Sequence, residues 1–180
     1  RVNASEAHNL SDANLPSGIY IVRESEYGEH MATSNKQWRN QHVMQGEFAA
    51  YDGLPIRYYH ASQQGDAKGC IVMLHGYCGF WGKFHEMAEY YWHAGYEVFF
   101  MEHRGHGYSG RQIDEADIVH VNSYNDYTQD IHQFMTEVVK PRIGNLTCIM
   151  FAHSMGGAIA ALFLEEHPEY FDAAVLSSPM

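Results

Sequence analysis

The run Ala152-His153-Ser154-Met155-Gly156-Gly157 constrains what this chain can fold into more than any other segment. It follows the apolar stretch 147–151 and precedes the small-residue helical pattern 158–164. A serine at such a strand-to-helix turn is held in a strained backbone conformation that lifts its hydroxyl clear of the sheet. The positions two before and two after it must be small, because strand and helix pass close together there. Gly156 meets that need, and Ala152 is the smallest side chain able to replace a first glycine. The helix then turns its N-terminal amides and positive dipole end toward the place where an oxyanion would form. The segment predicts acyl transfer through an ester of Ser154; the flanking strand and helix disfavour a glycine-rich turn with an incidental serine.

The rest of the chain sorts around that turn. Residues 1 to about 45 are polar and weakly patterned, and read as a loosely structured lead-in with short helical pieces near 36–39. Regular patterning covers 46–180. Residues 47–51 and 56–60, joined at Asp52-Gly53, predict a hairpin. Residues 63–69 are a loop, and 70–74 and 97–101 are unbroken apolar runs, as expected of strands buried on both faces. Between them Phe84, Met87, Ala88, Tyr91 and Trp92 recur at helical spacing, and Gly95 lies where that helix should stop. Ser123-Tyr-Asn-Asp126 matches a capping box. Behind it Tyr127, Ile131, Phe134, Met135 and Val138 form one helix face ending at Pro141. His167-Pro168 stops the helix after Ser154, and 172–177 is a last strand. This alternation predicts an α/β fold, a mostly parallel sheet with helices on both faces and right-handed crossovers. Active residues then belong at the C-terminal ends of the strands.

Composition narrows the function. With 46% hydrophobic and 18% charged residues in 180, the chain reads as a soluble globular domain with a real core. A net charge of −11 argues against sequence-independent binding of nucleic acid. It argues less firmly against a lipid surface, which a local apolar patch can bind. No stretch approaches the ~20 apolar residues of a membrane span, and no basic and apolar leader is present in a chain that starts at Arg1. Cys70, Cys78 and Cys148 are an odd number without paired metal-ribbon spacing; two sit in or beside apolar strands, and the expected reading is small buried hydrophobes in a reducing compartment. The 13 histidines, His75, His85, His103 and His106 among them, form no helical H-E-x-x-H or Cys/His set, so no metal and no cofactor is expected.

Two further motifs bear on the site. His75-Gly76-Tyr77-Cys78-Gly79 ends a strand and begins a helix; in folds built on a serine turn this loop gives one oxyanion donor and the residue after the serine gives the other. The donors expected here are the backbone amides of Tyr77 and Met155. Gly105-His-Gly-Tyr-Ser-Gly110 fits G-x-G-x-x-G literally, but no helix opens at its third glycine and Asp130, at about the spacing of the acidic partner, falls within a helix. A tight loop beside the active site is the better reading. His153 neighbours the serine on a strand and therefore faces the other way, which disfavours it as the base.

These residues resemble a known family. Residues 102–111 (Glu-His-Arg-Gly-His-Gly-Tyr-Ser-Gly-Arg), 120–127 (His-Val-Asn-Ser-Tyr-Asn-Asp-Tyr) and 152–160 (Ala-His-Ser-Met-Gly-Gly-Ala-Ile-Ala) are similar, in that order, to the bacterial lysophospholipases, relatives of monoacylglycerol lipases within the α/β-hydrolases. The likeness runs from about Trp38 to Met180. It implies hydrolysis of a single-acyl lipid ester through an acyl-enzyme, with Ser154 as nucleophile and the Tyr77 and Met155 amides as oxyanion hole. It also implies a cytoplasmic protein, with peripheral contact at the inner membrane as an added expectation. In that family the catalytic Asp and His follow later strands. Beyond Ser154 this sequence offers Glu165, Glu166, His167, Glu169 and Asp172, at the end of the helix or entering the last strand. The expectation is the N-terminal part of an α/β-hydrolase, truncated after the sixth core strand, nearly inactive by itself and exposing an apolar edge. A carboxylesterase or serine peptidase of the same fold, or a non-catalytic module, are the alternatives. A haloalkane or epoxide hydrolase is disfavoured because those place Asp where Ser154 stands, and a nucleotide-binding oxidoreductase rests on the glycine loop alone.

Overall fold

The hairpin at Asp52-Gly53 forms and makes one edge of the sheet. The computed structural model describes residues 36–180 apart from Ala116; the expected lead-in over 1–35 lies outside the described residues. Helical residues 36–42 (α1) lead into Val43–Ala49 (β1), which pairs antiparallel with Pro55–Ala61 (β2) from Val43 opposite Ala61 to Ala49 opposite Pro55. β1 therefore begins earlier than the alternation around Glu47 suggests. It is an outer strand, exposed or half-exposed except at Phe48, so burial imposes little pattern on its first residues.

Next come Cys70–Leu74 (β3), Trp81–His93 (α2), Glu97–Met101 (β4), Asn125–Gln133 (α3), a π-helical stretch Phe134–Val139, Lys140–Ile143 (α4), Cys148–His153 (β5), Met155–Glu166 (α5), a 3₁₀ turn Pro168–Tyr170 and Ala173–Ser177 (β6). The sheet order is β1-β2-β4-β3-β5-β6, antiparallel across the first three strands and parallel from β4 to β6. The expected mostly parallel α/β sheet is what the chain forms.

Period-two alternation along the inner strands splits the core between two faces. Cys70, Val72, Leu74, Phe99, Met101, Met150 and Ala152 pack with Tyr127, Ile131, Phe134, Val138, Ile159 and Phe163 of the α3–α5 side. Ile71, Met73, Val98 and Phe100 face Ala88 of α2 and Trp38 of α1. Helices thus cover both faces, and the ends of β3, β4 and β5 meet between them.

Two local readings need correction. Ser123-Tyr-Asn-Asp126 does not close a capping box: the Ser123 hydroxyl accepts the Asn125 amide at 3.3 Å, and the Asp126 amide goes to the Ser123 carbonyl at 3.0 Å. The Asp126 carboxylate is taken instead by Arg104 and by the Tyr51 hydroxyl. Pro141 does not end its helix either, since α4 carries on through it to Ile143. The π-helical turns immediately before it widen the backbone where a proline ring would otherwise press on the carbonyl four residues back.

Candidate active site

Ser154 sits between β5 and α5 at φ 52°, ψ −121°, a left-handed conformation that a residue with a side chain adopts only where its surroundings enforce it. Here the enforcement comes from the end of β6 and the start of α5. The Ser154 amide donates to the Ser177 carbonyl at 3.0 Å, and the Ser154 carbonyl accepts the amides of Gly157 at 2.8 Å and Met180 at 3.2 Å. Close packing explains the small neighbours. A Cβ at Gly156 would collide with the backbone carbonyls of His75 and Leu74, so α5 can approach the end of β3 only with glycine there. Ala152, two residues before the serine, is fully buried.

The loop 75–79 comes up against this turn from β3. A Cβ on Gly76 would stand 2.9 Å from the Ser154 Cβ, which places the backbone on either side of Gly76 beside the serine. The Gly76 carbonyl is held from two sides, by His75 Nδ1–H at 2.7 Å and by the Gly79 amide at 2.9 Å. In a trans peptide the carbonyl and the following N–H point opposite ways, so pinning the Gly76 carbonyl also aims the Tyr77 amide. Among the described residues neither the Tyr77 nor the Met155 amide has an acceptor. Met155 opens α5, where the first turn's amides lack partners within the helix.

His75 is fully buried. Its Nε2 accepts the His103 amide at 2.9 Å, which fixes the neutral tautomer with the proton on Nδ1. Burial pushes its pKa down to about 3, and the bond to the Gly76 carbonyl only partly opposes that. Burial likewise holds His103 and His106 below the ordinary histidine range. The three rings contact one another, with centroids 4.6, 5.1 and 6.4 Å apart. Sequence spacing does not reveal this cluster, because it forms only where the ends of β3 and β4 meet. Among the described residues no cluster of histidine, cysteine or carboxylate side chains is arranged to hold a metal.

His153 faces the α2 side, its ring 6.1 Å from that of Phe84. The acids and histidine that follow Ser154 lie elsewhere. Glu165, Glu166 and Glu169 are exposed. The His167 ring lies 4.7 Å from that of His132, and the Asp172 carboxylate accepts the Cys148 amide at 2.7 Å, at the opposite end of β5 from Ser154. Among the described residues nothing hydrogen-bonds the Ser154 hydroxyl.

The glycine loop 105–110 belongs to the same end of the sheet and is no dinucleotide fingerprint. No helix opens at Gly110; its amide donates to the Pro55 carbonyl at 2.7 Å. Asp130, within α3, makes a two-pronged pair with Arg104 at 2.7 Å for each oxygen.

A profile of the family described as "Serine aminopeptidase, S33" matches residues 65–180. Lysophospholipase L2 of Escherichia coli (strain K12) is 36% identical over 143 residues, 79% of this chain and 41% of that protein. The monoacylglycerol lipase of Mycolicibacterium smegmatis is 31% identical over 132 residues, 73% of this chain and 45% of its own length. The chain therefore spans about two fifths of the relatives it matches. Among solved structures, a thermostable carboxyl esterase from Bacillus coagulans superimposes with a TM-score of 0.67 at 20% identity, over 76% of this chain and 44% of that one. A thioesterase domain from the curacin biosynthetic pathway gives 0.62 at 18% identity, over 76% and 46%. At such identities the likeness is one of fold.

Proposed function

The chain belongs to the serine aminopeptidase S33 family of α/β-hydrolases, and from that premise we propose that it carries the nucleophile and oxyanion hole of a lipid esterase. In this reading Ser154 attacks the carboxylic ester of a single-chain lipid, a lysophospholipid or monoacylglycerol. The carbonyl oxygen becomes an oxyanion held by the amides of Tyr77 and Met155, the alcohol leaves, and water releases the fatty acid from the acyl-enzyme.

One observation carries the reading: a serine strained to φ 52° at the head of α5, with the Gly76 loop packed against its Cβ and the Tyr77 and Met155 amides without acceptors among the described residues. A turn with no chemistry would relax to an ordinary conformation or place glycine at that position. The lipid ester is favoured by the names of the relatives, a lysophospholipase and a monoacylglycerol lipase. Exposed Tyr77 and Tyr108, on loops at the C-terminal ends of β3 and β4, are suited to peripheral contact with a lipid surface. The base and acid that would activate Ser154 are not among the described side chains near it, so the 180 residues alone should keep at most the ~10³–10⁴ over water that the hole and binding provide.

The test is made on the full-length protein. A fluorophosphonate should label Ser154, hydrolysis of monoacylglycerol or lysophospholipid should follow, and both should vanish in Ser154→Ala. A folded full-length protein that neither labels nor turns over any ester would instead be a non-catalytic member of the fold. A preference for short acyl chains would move the reading to a small-ester carboxylesterase.

A further inference from the structure

We propose that Glu102 is a positioning residue for the oxyanion loop; the proposal rests on the esterase reading above. Glu102 is fully buried at the end of β4. One carboxylate oxygen accepts the Trp81 amide at 2.9 Å and the other accepts the Tyr108 amide at 2.6 Å. Its backbone is fixed as well: its amide donates to the Arg57 carbonyl at 2.9 Å, and its carbonyl accepts the Ser109 hydroxyl at 2.6 Å. The carboxylate is thus presented from a rigid mount.

Trp81 is the first residue of α2, and α2 needs an outside partner. Its N-cap is Phe80, no side chain of its own caps it, and its first turn holds no acidic residue but does hold Lys83. A carboxylate against the N-terminus of a 13-residue helix supplies both the missing acceptor and the favoured charge. What precedes that helix is the loop that carries the Tyr77 amide. The near end of the loop is tied to β4 through His75 Nε2 and the His103 amide; the far end is tied through Trp81 and Glu102. Two consecutive residues at the end of β4 therefore hold both ends of the segment 75–81, and the Tyr77 amide between them cannot drift from Ser154 while both ties stand.

The experiment compares full-length wild type, Glu102→Gln and Glu102→Asp. The glutamine offers one acceptor oxygen where the glutamate has two, so the Trp81 and Tyr108 amides cannot both be held, and in either orientation the negative charge against the start of α2 is lost without a change of size. Expected for Glu102→Gln is a fall in kcat of about 10–100-fold, short of the ~10²–10³ for losing a donor outright, with KM within about twofold. A trifluoromethyl ketone, which adds to Ser154 and leaves an oxyanion in the hole, should lose affinity by the same factor as kcat. Glu102→Asp keeps the charge and should recover most of both. Amide hydrogen exchange over 77–83 should quicken in Glu102→Gln while the rest of the sheet keeps its protection. Unchanged kcat and ketone affinity in a folded Glu102→Gln would overturn the proposal, as would a fall in kcat with ketone affinity untouched. A wild-type protein that neither hydrolyses esters nor binds the ketone fails the esterase reading instead. Hydrogen exchange then decides alone, and unaltered exchange in Glu102→Gln overturns the tie.

Discussion

The guanidinium of Arg104 grips the carboxylate of Asp130 with both Nε and Nη2, each at 2.7 Å, and neither group reaches solvent. Nη1 goes on to Asp52 at 3.0 Å and Asp126 at 3.3 Å. One side chain beside the glycine loop thus ties the hairpin turn to α3. Replacing Arg104 by Ala would leave three carboxylates facing one another, two of them buried, so we expect a loss of about 3–5 kcal/mol. Urea unfolding at pH 7 measures it; a loss under about 1 kcal/mol would mean the cluster behaves like an exposed ion pair.

Acid should destabilise the fold through its buried histidines. His75, with a pKa near 3, and His103 and His106, also held down by burial, are neutral when folded and near 6.5 when unfolded. The unfolded chain therefore takes up protons first, and stability present above pH 6.5 is lost as pH falls toward 3. Between those limits His75 contributes a slope approaching about 1.4 kcal/mol per pH unit, and His103 and His106 add to it in the same direction. Asp130 works the other way between about 4 and 6, because burial raises its pKa to about 6 despite Arg104. Urea midpoints from pH 7.5 to 4 should fall, and His75→Gln should flatten the slope by about one proton. A flat profile in the wild type would refute the assignment.

Methyl groups added at the two close approaches should act differently. At Gly76 the new carbon would sit 2.9 Å from the Ser154 Cβ and push the loop off the serine. In the full-length enzyme Gly76→Ala should lower kcat by about 10²–10³ with a small change in unfolding midpoint. At Gly156 the carbon would meet main-chain carbonyls that cannot move aside, so the cost appears in stability, about 1–3 kcal/mol. Calorimetry beside kinetics separates them, and Gly76→Ala with wild-type turnover would remove the loop from the mechanism.

Cys78 should be the one thiol that a maleimide reaches in the native protein. It is exposed and lies next to Tyr77, whereas Cys70 and Cys148 are fully buried on adjacent strands in direct register. In the full-length protein, mass spectrometry after brief labelling should find Cys78 modified ahead of Cys70 and Cys148, with slowed ester turnover because the modified side chain stands on the oxyanion loop. Early labelling of Cys70 or Cys148 would show that the β3–β5 pair opens more readily than its burial implies.

What the sequence made legible was whatever the chain settles within a short span. The Ser154 turn, the unbroken apolar strands β3 and β4, the Asp52-Gly53 hairpin and the α2 stripe of Phe84, Ala88 and Tyr91 are all decided by neighbours a few residues away. The misreadings share the opposite cause. Asp126 has the right spacing for a local cap, yet a buried guanidinium 22 residues upstream outcompetes it for the carboxylate. Pro141 carries the usual stop signal, which the π-helical turns before it absorb. Glu102 carries no local signal of its task beyond its place in residues 102–111, yet the sequence holds a trace of it: α2 begins at Phe80-Trp81 with no capping residue of its own. A helix start without a local acceptor is a reason to look for a donated one from another strand.

The strand order has a consequence in time. β4 lies between β2 and β3, so the hairpin formed by the first two strands has nothing to pair with until Glu97–Met101 exists. On a ribosome delivering roughly 5–20 residues per second, the hairpin waits for several seconds with the free edge of β2 exposed. That interval makes β2 the strand most open to pairing with another nascent chain, and it makes the speed at which the segment between Ala61 and Glu97 is translated a determinant of how much protein reaches the native sheet.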